Sequence, residues 1–496
     1  MQTTMSVLLL YILVTIPAFL GRSIGVRAFR LGDCEAWALG RTIGLVVVAY
    51  PAWWAGVVGI AGWQWVGMAV VVVGGAFGVI DLRLRRPDWR ELAVAELVFL
   101  LAAFAVILIR LERPDIIGQE KLMDLGIFAS LLRAEGFPPP DMWLAGQGLP
   151  YYYWGALIWT IPLVMSKIPL GLSYNLVVAA VGGLSASLLW VLGRRSHPGW
   201  VSGLVAVLVG LFAGTPDGLR QIFNGVHVLG LDYWSSSRQV PDTITEWPLF
   251  TLWLGDLHPH LLSIPLALAA VLLGWELGRK GPDLKLVVAT ALLFGVTWAA
   301  NPWAMPPTFA AVALMMLCGD GRWHWPNRRG WPRWLAVVVV GVGGWVLAAP
   351  FHLSFHPPFQ GIGAVFAWTP PLILLLWGGL LLIPAGAAAW ALLVRMLGDN
   401  LLKGRAVAAT LVAASLIAAS ATGKPTLVML GLILAVLVLA SVGTAREPAR
   451  PAIGLAALGI FLLFVPEVVY VVDSYGEQLH RMTTVFKAYG QSWIFL

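Results

Sequence analysis

Most of the side chains able to do chemistry fall in four short stretches of this 496-residue chain. The first holds Glu120 and Asp124, four residues apart, just ahead of a helical-period stripe of Leu125, Phe128, Leu131 and Leu132. Two carboxylates this close can hold a divalent cation or act as a general base. The spacing equally suits a plain N-cap acid at Asp124 with a solvated neighbour. The second is Tyr151-Tyr152-Tyr153-Trp154, preceded by the stiff Pro138-Pro139-Pro140 run. Such an aromatic cluster at a span entrance makes an interfacial belt or a platform for a sugar. The third places Asp256, His258 and His260 at alternate positions, with Pro259 preventing a regular helix. These groups can converge on a metal or a phosphate. Glu246 lies just upstream, and Arg238 supplies a cation near the acids, the plain alternative being a salt-bridged loop. The fourth brings Arg481 and Lys487 together with hydroxyls between them. That set suits an anionic lipid phosphate, or simple snorkelling at an interface.

The elements that hold these residues are membrane helices. Hydrophobic residues make up 59% of the chain and charged residues only 11%, against about a quarter charged in a soluble domain. The apolar runs are continuous, so helices are expected in place of the alternating strands of a barrel. Spans are expected near 5–21, 42–61, 64–81, 92–111, 151–168, 173–193, 199–213, 259–278, 284–300, 303–318, 334–350, 366–395, 404–420, 425–443 and 453–472. The expected fold is therefore all-α, a polytopic transmembrane bundle of about 13–15 spans. Gly378, Gly379 and Pro384 mark the 366–395 stretch as one that tilts or breaks. Met5–Leu20 reads as a first membrane helix, because no positive charge precedes it. Cys34 and Cys318 form no ligand pattern, so neither a disulfide nor a metal role is assigned to them.

The net charge of +7 does not point to nucleic acid, since the arginines sit in short loops between spans. Arg22, Arg27, Arg30 and Arg41, then Arg83, Arg85, Arg86 and Arg90, mark two cytoplasmic loops. By parity, residues 112–150 lie on the other side. Arg194 and Arg195 then fall outside by simple counting although they look cytoplasmic, which a re-entrant segment or a missed span nearby would resolve. The chain stops in Gln491-Ser492-Trp493-Ile494-Phe495-Leu496, which reads as the opening of a further apolar helix, so a longer parent protein is expected.

Glu120–Asp124, Pro138–Trp154, Trp234–His260 and Arg481–Trp493 together resemble the "YYY" membrane-protein family, named for its tyrosine triplet. The resemblance runs from about residue 95 to the end, and its specific motifs are Tyr-Tyr-Tyr and Gly-Asp-Leu-His-Pro-His. That family resembles in turn the GT-C superfamily of glycosyltransferases, which take a sugar from a polyprenyl-phosphate carrier. The resemblance implies an acidic residue in the first large external loop, followed by an amphipathic helix on the membrane. Asp124 matches that acid, with Glu120 as second candidate. Two departures stand out. The family's Asn-Thr-Trp-Asp helix opening reads Asn301-Pro302-Trp303-Ala304 here, and Thr483 and Ala488-Tyr489 replace its terminal Asn and Phe-Tyr.

The resemblance implies a membrane extension over residues 1–111 and a GT-C-like module over 112–496. It implies Asp124, with Glu120, as the base or metal ligands, with a divalent metal as the one cofactor considered. Tyr151, Tyr152, Tyr153, Trp154, Arg238, Glu246, Asp256, His258, His260, Arg481 and Lys487 are then substrate-binding residues. The partners expected are a polyprenyl-phosphate-linked sugar and the bilayer, at the plasma membrane, with the site on the non-cytoplasmic side. Two other classes stay open. A lipid or solute transporter would use the same loops as a binding site, although no repeat is visible and the polar motifs lie at helix ends. A non-catalytic scaffold would leave Asp124, Asp256 and His258 scattered.

Overall fold

The computed structural model describes residues 2–357, 360–396, 410, 413–414, 417–418, 420–442 and 446–496. The span expected at 404–420 lies mostly outside the described residues. The described chain is helical almost throughout, with one two-stranded antiparallel pair, Ile362–Ala364 against Val469–Val471. Among the described residues, seven helices are long and apolar enough to cross a bilayer: Thr3–Arg27, Gln64–Leu84, Trp89–Glu112, Leu170–Ser196, Pro259–Lys280, Pro371–Met396 and Arg450–Glu467. Trp200–Phe212 and Asp217–Phe223 pass the same test only together, as one broken span or a re-entrant loop. Five apolar helices among the described residues are shorter: Trp154–Ser166, Leu284–Ala300, Pro302–Cys318, Trp331–Leu347 and Pro425–Ser441. The fold is an all-α polytopic membrane protein.

The chain forms two compact units built from interleaved segments. The first comprises Met1–Leu211, Thr251–Met316 and Arg328–His356; the second comprises Phe212–Phe250, Leu317–Asn327 and Pro357–Leu496. The opening helices of the first unit are α1 (Gln2–Arg27), α2 (Asp33–Val57), α3 (Gln64–Leu84), α4 (Trp89–Glu112), α5 (Lys121–Arg133), α6 (Trp154–Ser166) and α7 (Leu170–Ser196). Residues 1–111 are thus packed in one unit with later segments, α4 lying along α7.

Close helix approach in lipid relies on small residues, because the hydrophobic effect gives no preference for helix over lipid tail. On α2, a Cβ on Gly44 would lie 2.2 Å from the Pro17 carbonyl oxygen, and on α1 a Cβ on Gly21 would lie 2.0 Å from that of Gly40. A part-buried polar knot pins the same region. Glu96 of α4 accepts from Tyr11 Oη at 2.8 Å, Trp37 Nε1 at 2.7 Å and Arg41 Nη2 at 2.6 Å. The Arg41 guanidinium also lies over the Phe99 ring at 4.0 Å. Every lobe of that carboxylate is used, which makes the knot a structural pin. Replacing Glu96 by Leu leaves Arg41 buried without its counter-charge and should cost roughly 3–5 kcal/mol. Thermal unfolding in detergent reads this, and adding Arg41→Leu should recover part of the loss.

Two expectations about spans are corrected. The 151–168 segment is not a full crossing. Its helix, α6, has 13 residues, about 20 Å long, short of the roughly 30 Å hydrocarbon core. The start of α7 then sits beside the end of α4: Asn175 Nδ2 donates to the Pro114 carbonyl at 2.9 Å and Arg110 Nε donates to Asn175 Oδ1 at 2.9 Å. The chain therefore leaves α4 and enters α7 at the same end. This removes the parity conflict over the arginines that close α7. Arg194 pairs with Glu91 at 3.1 Å and Arg195 with Glu35 at 2.6 Å, so both share the end of the bundle that holds the basic loops flanking α2 and α4. The second correction concerns the break in the 366–395 stretch, since Pro371–Met396 runs as one helix through Pro384. A proline inside a membrane helix loses one backbone bond, which neighbouring groups and local adjustment can make good.

Candidate functional site

The candidate site lies in the first unit, where α5 meets the Gly255–His258 turn. Gly118 and Gln119 both adopt left-handed backbone, at φ 75° and 46°, and reverse the chain so that α5 starts at Lys121. Glu120 takes the N-cap position but its side chain caps nothing, and Asp124 lies a turn inside the helix. The N-cap reading of Asp124 is thereby corrected. Its carboxylate is buried, on the face that α5 packs against α6 and α7 through Phe128 and Leu131. Leu125 and Leu132 are only half-buried.

The partner segment is shaped by one glycine. Helix Pro248–Leu254 ends at Gly255, whose φ of 68° is the left-handed C-cap conformation. A Cβ there would lie 2.2 Å from Arg110 Cζ, so a larger residue would have to displace that guanidinium. Arg110 in turn donates from Nη1 to the Trp253 carbonyl at 3.1 Å. The next residues are aimed by this clamp. Leu257 N donates to Tyr174 Oη at 3.0 Å, and His258, extended at φ −72° and ψ 157°, precedes Pro259 at the start of the next helix.

The result is a contact between side chains 134 residues apart in sequence: His258 Nδ1 lies 3.2 Å from Asp124 Oδ1 and 3.3 Å from Oδ2. His258 Nε2 lies 3.1 Å from Glu120 Oε2 and 3.3 Å from Tyr151 Oη. Tyr151 donates to Tyr152 Oη at 3.0 Å, and the two rings stack at 3.9 Å between centroids. Burial raises the pKa of both phenols, Tyr152 to about 12, so they act as neutral hydroxyls. Asp124, Asp256 and His258 each offer a ligating atom, all within 4.8 Å of one another. Two carboxylate oxygens and an imidazole nitrogen suit a divalent cation of intermediate hardness. His260 approaches Thr251 Oγ1 at 3.3 Å, its ring 5.4 Å from that of His258.

Residues 47–496 match the model of the family described as uncharacterized membrane protein (DUF2298). The chain belongs to that family. The match covers the whole Asp124–His258 cluster and begins inside α2. No curated protein and no solved structure matches the chain.

Other residues singled out in the sequence make contacts of their own. Tyr153 turns the other way and accepts from Trp53 Nε1 at 3.1 Å, while Trp154 packs edge-on to Trp53 at 5.0 Å. Arg238, Glu246, Arg481 and Lys487 belong to the second unit. There Arg238 lies over the Trp234 ring at 4.2 Å, 3.6 Å from Glu246 Oε1. Arg481 is buried and already neutralised: Nη1 pairs with Glu467 Oε1 at 3.1 Å and Nη2 donates to Thr369 Oγ1 at 2.9 Å. Lys487 places its ammonium over the Phe486 ring at 4.2 Å. Lys121 and Arg110 escaped the sequence reading. Arg110 sits at the end of an apolar run, and an arginine there was the available signal.

Proposed function

We propose that this protein is a GT-C-like membrane glycosyltransferase that moves a sugar from a polyprenyl-phosphate donor to an acceptor on the non-cytoplasmic side. The observation that carries the reading is the hydrogen bond between buried Asp124 and His258, with Glu120 and Tyr151 on the far ring nitrogen. A carboxylate held by an imidazole, itself oriented by a third group, is the arrangement a general base needs.

The chemistry follows from the groups present. The acceptor hydroxyl gives its proton to the Asp124 carboxylate as its oxygen attacks the anomeric carbon. The bond from that carbon to the donor phosphate oxygen breaks, and its electron pair leaves on the polyprenyl phosphate. His258 orients the Asp124 carboxylate. Tyr151 and Tyr152 offer neutral hydroxyls and a stacked aromatic face to the sugar. Asp124, Asp256 and His258 are the residues that would hold a divalent cation, which when bound supplies charge stabilisation at the phosphate.

Tyr151→Phe removes the hydroxyl shared by His258 and Tyr152 while keeping the ring stack. It should lower transfer about tenfold with little change in stability, as read by initial rates and thermal unfolding. The function is tested in proteoliposomes with a donor labelled in its sugar. Transfer releases unglycosylated polyprenyl phosphate. A flippase would instead move the intact lipid-linked sugar to the other leaflet.

A further inference from the structure

Lys121 opens α5 and is about nine-tenths buried, with 6% exposure. It makes no hydrogen bond or ion pair among the described residues. Arg110 is itself buried; its Nε and Nη1 are bonded, but Nη2 is buried without a partner. Arg113, one turn further on, holds its guanidinium over the Trp253 ring at 4.8 Å. The N-terminus of the 13-residue α5 lacks a side-chain cap, which leaves its first amide groups and the positive end of its dipole unanswered.

Lys121 lies one turn before Asp124 on α5, both side chains buried, and the Arg110 guanidinium packs against Gly255, next to Asp256; buried cations with unused donors are costly in a low-dielectric setting. Their acidic neighbours do not offset this by contact, since none reaches Lys121 as an ion pair. The group complementary to such a set is an anion. It has to be small enough to meet an ammonium, a guanidinium edge and helix amides at once, which is the shape of a tetrahedral oxyanion. We infer that Lys121, Arg110 and the uncapped start of α5 form a phosphate-binding site beside the Asp124–His258 cluster. Lys121 and Arg110 take the phosphate role in place of Arg481, whose charge is spent on Glu467. The phosphate in question is that of a lipid headgroup or a free inorganic phosphate. In the first case it rests on the transferase reading and places the donor's leaving group against α5.

The test is binding, not turnover. Full-length protein in detergent micelles is titrated with inorganic phosphate. The protein in nanodiscs of neutral lipid is titrated with decyl phosphate. The expected result is saturable binding of at least one probe. Lys121→Gln should weaken it about tenfold or more, and Lys121→Arg should retain it. Binding of both probes marks a phosphate site open to either source; binding of decyl phosphate alone marks a headgroup site. Asp124→Asn separates this site from catalysis: it should bind phosphate at least as well as wild type, because a nearby negative charge is gone. Binding of neither probe, or equal binding in Lys121→Gln whose unfolding matches wild type, overturns the inference whatever the fate of the transferase reading.

Discussion

Replacing Asp124 by Asn should lower transfer by about 10²–10⁴-fold, the range a positioned general base contributes. The substitution keeps shape and one hydrogen-bonding oxygen toward His258, which stands 3.2 Å away, so the packing of α5 should survive. What it removes is the site's ability to accept a proton. The check is a pair of measurements on the same preparation: initial rate of transfer, and thermal unfolding in detergent. A large rate loss with an unchanged unfolding curve assigns the loss to chemistry. Asp124→Glu, which restores a carboxylate displaced by one methylene, should recover a small part of the rate. Full activity in Asp124→Asn would remove Asp124 from the role of base.

Gly255→Ala should both destabilise the first unit and lower activity. The added carbon meets two independent costs. The left-handed backbone at φ 68° penalises any residue with a Cβ by about 1–2 kcal/mol. The Cβ would also stand 2.2 Å from Arg110 Cζ, and forcing extra volume into a packed site costs typically about 1–3 kcal/mol. Together they predict a loss of about 2–5 kcal/mol, visible as a lower unfolding temperature. Activity should fall as well, because the turn that carries Gly255 also aims His258, and a shift near 1 Å can cost about 10²-fold. Combining Gly255→Ala with Arg110→Ala removes the clash but keeps the backbone penalty. The double variant should therefore be more stable than the sum of the two single losses.

The class of fold was legible because composition alone demands lipid and continuous apolar runs demand helices. Two elements misled for physical reasons. Residues 151–168 are apolar enough for a span, but α6 ends at Ser166 and the chain re-enters α7 beside α4, a fact of tertiary packing that no local window contains. Pro384 reads as a break, yet lipid-buried helices tolerate proline. At the candidate site, the residue types were legible and their company was not. Asp124 looked like a cap because it opens an apolar stripe; the left-handed pair Gly118-Gln119 starts the helix earlier and turns the carboxylate inward. The contact with His258 spans 134 residues and depends on α5, α7 and the Gly255 clamp being in place together. Arg481 looked like a free cation near a membrane surface, and its partner Glu467 lies 14 residues upstream behind a 3₁₀ turn. Lys121 was invisible for the opposite reason, since a lysine beside a glutamate in a loop reads as solvated.

The most direct test follows the donor itself. Purified wild-type protein in proteoliposomes is given a polyprenyl-phosphate sugar and a membrane extract as the acceptor source, and the mass of the lipid carrier is followed over time beside Asp124→Asn. The account predicts that wild type converts the donor to sugar-free polyprenyl phosphate with a matching gain of glycosylated acceptor, and that Asp124→Asn leaves the donor intact. A donor that stays whole in the wild type, or one that is consumed equally by both proteins, would contradict it.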